Sequence, residues 1–230
     1  MLRYRKSNGI VSFPLLFVLL MGCGASQAQV LSAIPLPEPL VTGVTIEETI
    51  QDRRSIRNYS DSWITLEELS GILFAAQGVT SPTGFRAAPS AGATYPLFIF
   101  VAVSRVDSLL AGTYLYDPNA HALVPLAEGD RLAELEQAAL GQSCISSAPA
   151  VIVISADFSR TTSVYGERGE SYVYIEVGHA AQNIYLTCTA MGLGTVAVGA
   201  FHDNRVAEVL ELPDDFIPLY LMPVGEPADS

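Results

Sequence analysis

The sequence predicts an α+β protein built on a mainly antiparallel central sheet flanked by helices. Two apolar runs of strand length, Pro96 to Val103 and Ala150 to Ala156, supply the sheet's interior. A hairpin pattern, Gly112 to Asp117 and Ala122 to Leu126 around a Pro-Asn turn, makes neighbouring strands antiparallel. The longest helical signal, Glu170 to Met191, is apolar nearly all round, as expected of a helix at a domain centre or an obligate subunit interface.

The chain opens on Arg3, Arg5 and Lys6 followed by an uncharged apolar run from Ile10 to Met21, which reads as a secretory signal over residues 1–22. The run is short for a membrane span. Two processing sites compete: Leu20-Met21-Gly22-Cys23 resembles a bacterial lipobox that would lipidate Cys23, and Ser26-Gln27-Ala28 suits an ordinary signal peptidase. Either route predicts an exported bacterial protein, periplasmic or held at the cell envelope, touching membrane only through a lipid on Cys23. Residues 23–44, with Pro35, Pro37 and Pro39, read as a tether, and order is expected from Thr45, in a domain over 45–230.

Within that domain Thr45 to Gln51 is a short helix. Thr65-Leu66-Glu67-Glu68 is a capping box opening a helix that Gly78 closes. Val79 to Tyr95 is a long loop without periodicity, of the kind that carries function in compact domains. Asp130 to Leu140 reads as a helix. After Gly192-Leu193-Gly194, Thr195 to Val198 reads as a strand, Asn204 to Leu210 as a short helix and Ile217 to Val224 as the last strand.

Composition excludes several chemistries. The formal charge is −12 at pH 7, and loss of the leader's three cations makes the mature chain more acidic still. Such a surface repels nucleic acids and anionic headgroups. Lys6 is the sole lysine, so a lysine Schiff base and a Walker phosphate loop are ruled out. Cys144 and Cys188 are too far apart in sequence for a zinc motif and read as two buried thiols. Glu176 and His179 share a helical face, but a metal site would need further ligands; with Gln182 and Asn183 they read as a satisfied buried polar network, and no metal is expected. No Gly-x-Ser-x-Gly elbow supports a hydrolase. Gly192-Leu193-Gly194 follows a helix, the reverse of a dinucleotide fingerprint.

Two segments remain as candidate binding elements. Arg53-Arg54-Ser55-Ile56-Arg57 concentrates three of the nine basic residues left after Lys6, and guanidinium forks beside a hydroxyl match phosphate. The alternative is a solvated cluster balanced by Glu47, Glu48, Asp52 and Asp61. Arg86-Ala87-Ala88-Pro89-Ser90-Ala91-Gly92-Ala93 offers small side chains that let backbone approach a planar ligand, or else simply a tight turn.

In order and spacing these motifs resemble the nitroreductase superfamily, and most closely its SagB/ThcOx-type dehydrogenase branch. The resemblance rests on Arg-Arg-Ser-x-Arg at residue 53, Pro-Ser-Ala-Gly-Ala-x-Tyr-Pro at 89, Tyr-Gly-Glu-Arg at 165 leading to Glu-x-Gly-His-x-x-Gln-Asn, and Gly-Leu-Gly-Thr at 192 leading to Gly-x-Phe. It implies the nitroreductase fold, a homodimer joined through the long helix, and FMN at the dimer interface. It also implies that Arg53, Arg54, Ser55 and Arg57, with Arg86, hold the phosphate and ribityl chain. Pro89, Ser90, Ala91 and Gly92 would line the ring system, and backbone at Val198, Gly199 and Ala200 would lie over it. The implied activity is ping-pong transfer of a hydride between a donor and a small organic acceptor. Tyr165 is the candidate proton donor. Export leaves the donor open among NAD(P)H, a quinone, a secreted metabolite and oxygen. A binding lipoprotein without turnover is the rival reading. Two departures stand out: Val164-Tyr165 lacks the lysine of azoline-oxidising relatives, and the C-terminal Gly-Glu-Pro-Ala-Asp-Ser carries no base.

Overall fold

Strand β2 (Leu97–Val103) shows why the central runs are apolar throughout. Leu97, Ile99, Val101 and Val103 point into one core and Phe98, Phe100 and Ala102 into another, so the sheet is covered on both faces. Its neighbour β5 (Ala150–Ala156) divides in the same way. Ile99, Ile152 and Ile154 are at most 1% exposed, and burial of each contributes roughly 1.5–3 kcal/mol.

The computed structural model describes residues 32–213 and 215–228. The signal over 1–22, Cys23 and the Ala28 cleavage site lie outside them. The remaining strands are β1 (Ile34–Pro35), β3 (Gly112–Asp117), β4 (Ala122–Glu128), β6 (Gly194–Thr195) and β7 (Ile217–Gly225). All pair antiparallel in the order β1-β4-β3-β2-β5-β7-β6. One face carries α2 (Leu66–Gln77) and α5 (Arg168–Ala190), and the other α3 (Leu132–Ala138) and α6 (Asp203–Val209). Helices α1 (Ile46–Asp52) and α4 (Ser159–Tyr165) pack on α5. Helix α2 starts at the predicted capping box of Thr65 with Glu68, and α1 starts at a second one, Thr45 with Glu48; each closes reciprocally. No helix among the described residues is long and apolar enough to cross a membrane.

Two expectations need correction, and one element is new. The stretch read as tether joins the fold before Thr45: Ile34 and Pro35 pair with Leu123 and Ala122, Leu36 is buried, and the Pro37 carbonyl lies 3.0 Å from His121 Nε2. An edge strand tolerates proline because half its amides need no partner. Helix α4 occupies a stretch to which the sequence reading assigns no element. Its polar, β-branched sequence has little intrinsic helicity, but the Asp157 carboxylate accepts the Ser159 amide at 3.0 Å and the helix backbone packs against Gly169 of α5. The strand expected over Thr195 to Val198 stops at Thr195, because the Ala197 amide donates to Tyr185 instead of a strand neighbour. Cys144 and Cys188 are both buried and unpaired, as read.

Candidate functional site

The arginine segment begins where α1 ends. The Arg53 amide closes the helix on Thr49, and the chain then runs extended so that Ser55 bridges Thr195 and the Ile56 amide donates to the Thr195 carbonyl at 3.0 Å. Gly194 makes that approach feasible, since a Cβ there would stand 2.7 Å from the Ile56 side chain. Tyr185 of α5 ties the two strands together. Its hydroxyl accepts the Ala197 amide at 2.8 Å and lies 3.2 Å from Ser55 Oγ, while the Arg53 guanidinium stacks 5.2 Å over its ring. Arg54 donates to the carbonyls of Gln51 and Arg53, both at 2.8 Å, and Arg57 is exposed.

Among the described residues the ion pairs are Arg131 with Glu211 and Arg160 with Asp157. The balancing contacts from Glu47, Glu48, Asp52 and Asp61 do not form. Arg53, Arg54 and Arg57 therefore stand within five residues of an acidic protein without a carboxylate partner, an arrangement suited to an external anion.

The loop from Arg86 to Tyr95 forms a second element. Gly92, Ala93 and Tyr95 take φ values of 59°, 53° and 46°, left-handed conformations that cost free energy for the two that carry a Cβ. A Cβ on Gly92 would meet the Tyr165 hydroxyl at 2.6 Å, so glycine is required for that contact. Thr94 Oγ1 and Thr161 Oγ1 lie 2.8 Å apart, and Arg160 donates to the Tyr95 carbonyl at 3.2 Å; both contacts anchor the loop to α4. Tyr165 is 38% exposed at the end of α4, its ring edge-on to Tyr172.

Two residues of this loop are placed differently from the sequence expectation. Arg86 does not join Arg53, Arg54 and Arg57. It turns inward, donating to Gln77 Oε1 at 2.9 Å and stacking 4.5 Å over the Tyr95 ring. Burial, and then Arg160, lowers its pKa. Ser90 Oγ accepts the Tyr95 amide at 2.9 Å. Pro89 and Gly92 are exposed and Ala91 is half-buried.

The third element is Val198 to Ala200. The Val198 amide and carbonyl are both committed to Leu221, at 2.8 and 3.0 Å. Gly199 and Ala200 are exposed, and the Ala200 carbonyl accepts from Gln142 at 2.9 Å. Of the three positions, only the last two have amides without a hydrogen-bond partner among the described residues.

Helix α5 separates these elements as well as supporting them. Glu176, behind the loop, and Tyr185, behind the arginines, lie nine residues apart. At about 100° and 1.5 Å per residue they stand on opposite flanks of the helix, roughly 13 Å apart along it. Val173, Val177, Ala180 and Ile184 fill the buried face between those flanks. The opposite face is bare: Tyr174 is 58% and Ile175 52% exposed, with Gly178, His179 and Gln182 also exposed. The expected polar network is thereby split. Glu176 is buried, His179 and Gln182 face outward, and Asn183 donates to the Ala75 carbonyl at 3.0 Å. Among the described residues no group of acidic, histidine or cysteine side chains could hold a metal ion. A concavity of about 500 Å³ beside α6 and β7, rimmed by Asp203, Glu208 and Glu211, includes none of the candidate residues.

Comparison with known proteins shows the family. The nitroreductase family model matches residues 50–226. A Methanocaldococcus jannaschii protein named "Putative nitroreductase MJ1384" is 50% identical over 192 residues, 84% of this chain and 95% of that protein. The "FMN reductase (NADPH)" of Bacillus subtilis is 28% identical over 187 residues, covering 79% of this chain and 66% of that one. Among solved structures, a Ralstonia eutropha protein described as a putative nitroreductase superposes with a TM-score of 0.76 at 30% identity, covering 86% of this chain and 90% of its own. With most of its length and its α+β fold matched, the chain is an oxidoreductase-fold protein that belongs to the nitroreductase family.

Proposed function

We propose that the protein is an FMN-dependent oxidoreductase whose cofactor sits between two copies of the chain. The segment holding Arg53, Arg54 and Arg57 carries this reading, because three guanidinium groups within five residues of an acidic protein, none with a carboxylate partner, suit an anion. Arg53, Ser55 and Arg57 would hold the phosphate, with Tyr185 fixing the segment. The uncommitted amides of Gly199 and Ala200, rather than the committed amide of Val198, would donate to the ring system. Pro89, Ala91 and Gly92 would line it through small side chains and backbone.

The placement of those groups on two flanks of α5 supports the dimer. One protomer cannot close both halves on one ligand, whereas a two-fold axis through the bare Tyr174–Gln182 face would bring the arginines of one copy to the loop of the other. Arg86 then serves to hold the loop. FMN, when bound, supplies two-electron hydride chemistry in a ping-pong exchange between a donor, NAD(P)H or another reductant, and a small organic acceptor. Tyr165, with its hydroxyl against Gly92, is the proton donor nearest the loop. The SagB/ThcOx-type branch is favoured by the Tyr-Gly-Glu-Arg and Glu-x-Gly-His-x-x-Gln-Asn motifs, and export and lipidation at Cys23 by the leader.

The test is the absorbance spectrum of the purified full chain with FMN, then with NADH or NADPH under anaerobic conditions. A flavin band that bleaches supports the enzyme and a nicotinamide donor. A band that persists points to another donor or to binding without turnover, and no band with FMN in excess removes the cofactor.

A further inference from the structure

The segment from Val198 to His202 is pinned on both sides of its two unpartnered amides. Upstream, the Val198 amide and carbonyl pair with Leu221 of β7. Downstream, the His202 amide donates to the Ala138 carbonyl at 2.9 Å, and Gln142 Nε2 donates to the Ala200 carbonyl at 2.9 Å. Both downstream contacts come from the end of α3 and the turn that follows it. Between the pins Gly199 lies against β7, where a Cβ would stand 3.3 Å from the Tyr220 ring. Among the described residues, the bond from Gln142 is the sole hydrogen bond to either Gly199 or Ala200.

The turn fixes Gln142 by its own contacts. The Gly141 amide donates to the Glu136 carbonyl at 2.9 Å, and the Ser146 hydroxyl donates to the Glu136 carboxylate. Leu140 and Gly141 take φ values of 59° and 74°, which fold the chain tightly back at the end of α3. Gln142 Nε2 also donates to the Ala139 carbonyl at 3.0 Å. Carbonyl oxygens only accept, so two of them on the same nitrogen settle which way the side-chain amide is turned. One amide group thus joins the turn to a segment 58 residues further along the chain.

We propose that Gln142 is a positioning residue for the ring-binding backbone: it holds the Ala200 peptide so that the Gly199 and Ala200 amides stand as a preformed donor pair for the ring system of a bound flavin. Donors set in place before the ligand arrives lose little freedom on binding, and affinity rises accordingly. That the donors meet a flavin rests on the FMN reading; the clamp belongs to the chain itself.

The experiment uses the full chain and three variants: Gln142→Ala, Gln142→Glu, which keeps the shape and loses the donor, and Gln142→Lys, which supplies a donor of similar reach. Without ligand, ¹⁵N–¹H heteronuclear NOE values at Gly199 and Ala200 should fall in the alanine and glutamate variants, hold at Leu221, and recover in the lysine variant. FMN and riboflavin should each bind roughly fivefold more weakly to the first two variants, the worth of one neutral hydrogen bond, with riboflavin binding recovered in the third. Order at Gly199 and Ala200 that ignores all three changes overturns the clamp. Order lost with both affinities unchanged, or FMN weakened and riboflavin not, overturns its role toward the ring. No binding of either flavin by the wild type, beside order that depends on Gln142, refutes the flavin reading and leaves the clamp standing.

Discussion

Replacing Tyr185 by phenylalanine isolates one hydroxyl that joins three segments. The ring stays, so the Arg53 stacking survives, but the Ala197 amide loses its acceptor at 2.8 Å and Ser55 loses its partner at 3.2 Å. A net hydrogen bond is worth about 1 kcal/mol, and leaving the half-buried Ala197 amide unpaired raises the total loss to about 1–3 kcal/mol. For a folded body of this size each kcal/mol lowers the melting temperature by roughly 2–4 °C, so thermal denaturation followed by circular dichroism should show a fall of about 5 °C. FMN affinity should drop about tenfold as well, because the arginine segment then loses its Ser55 hydroxyl contact and keeps the Ser55–Thr195 backbone pairing, the Arg53 stacking and the Tyr59 contacts to Ile56 and Pro223. Tyr114→Phe is the control, since it removes a comparable bond to the Leu110 carbonyl at 2.7 Å far from this segment. A melting temperature within a degree of wild type would refute the bracing role. A lowered melting temperature with unchanged FMN affinity would mean that the arginines beside Tyr185 are not the anion site.

Three further outcomes follow from the geometry. Arg57→Ala should weaken FMN binding by about 10- to 100-fold, the worth of a charge-assisted hydrogen bond, and leave riboflavin binding unchanged; equal losses for the two ligands in fluorescence titrations would rule out phosphate recognition. Gly92→Ala should cost about 1–2 kcal/mol from its left-handed backbone plus the clash with Tyr165, and Tyr165→Phe in the same chain should recover part of the loss in chemical denaturation. The Glu176 carboxyl binds protons more tightly when folded, so its contribution is fully present below 4.5 and is lost as pH rises through about 7. The shift corresponds to about 3 kcal/mol, and the difference in stability between Glu176→Gln and wild type should grow over that window and then level; a constant difference would refute the shift.

The legible parts of this protein are those whose cause is local. Thr45 and Thr65 with their glutamates three residues on announce helix starts, and the runs at residues 97–103 and 150–156 announce strands because both faces of the sheet are covered. Helix α4 and strand β1 were not legible, since Asp157 capping, packing against Gly169 and pairing with β4 stabilise segments that their own propensities do not. The motifs at 53–57 and 89–92 could be chosen from residue type and order, but Arg86 could not be separated from the other arginines. Its partner Gln77 lies in a preceding helix, and nothing in the spacing shows that the chain folds back onto it.

Sequence alone determined the inventory: an acidic chain with one lysine, an apolar run behind three cations, an arginine-rich pentapeptide, a small-residue loop and a long apolar helix. Tertiary structure decided which of these meet. Tyr185 reaches Ser55 across 130 residues, Glu176 is buried in the long helix, and the two candidate binding elements stand on opposite flanks of α5. Residue type and local spacing fix what a segment can bond and which secondary structure it favours. Helix phase and chain reversal fix which partner it finds, and these depend on the packing of the whole sheet.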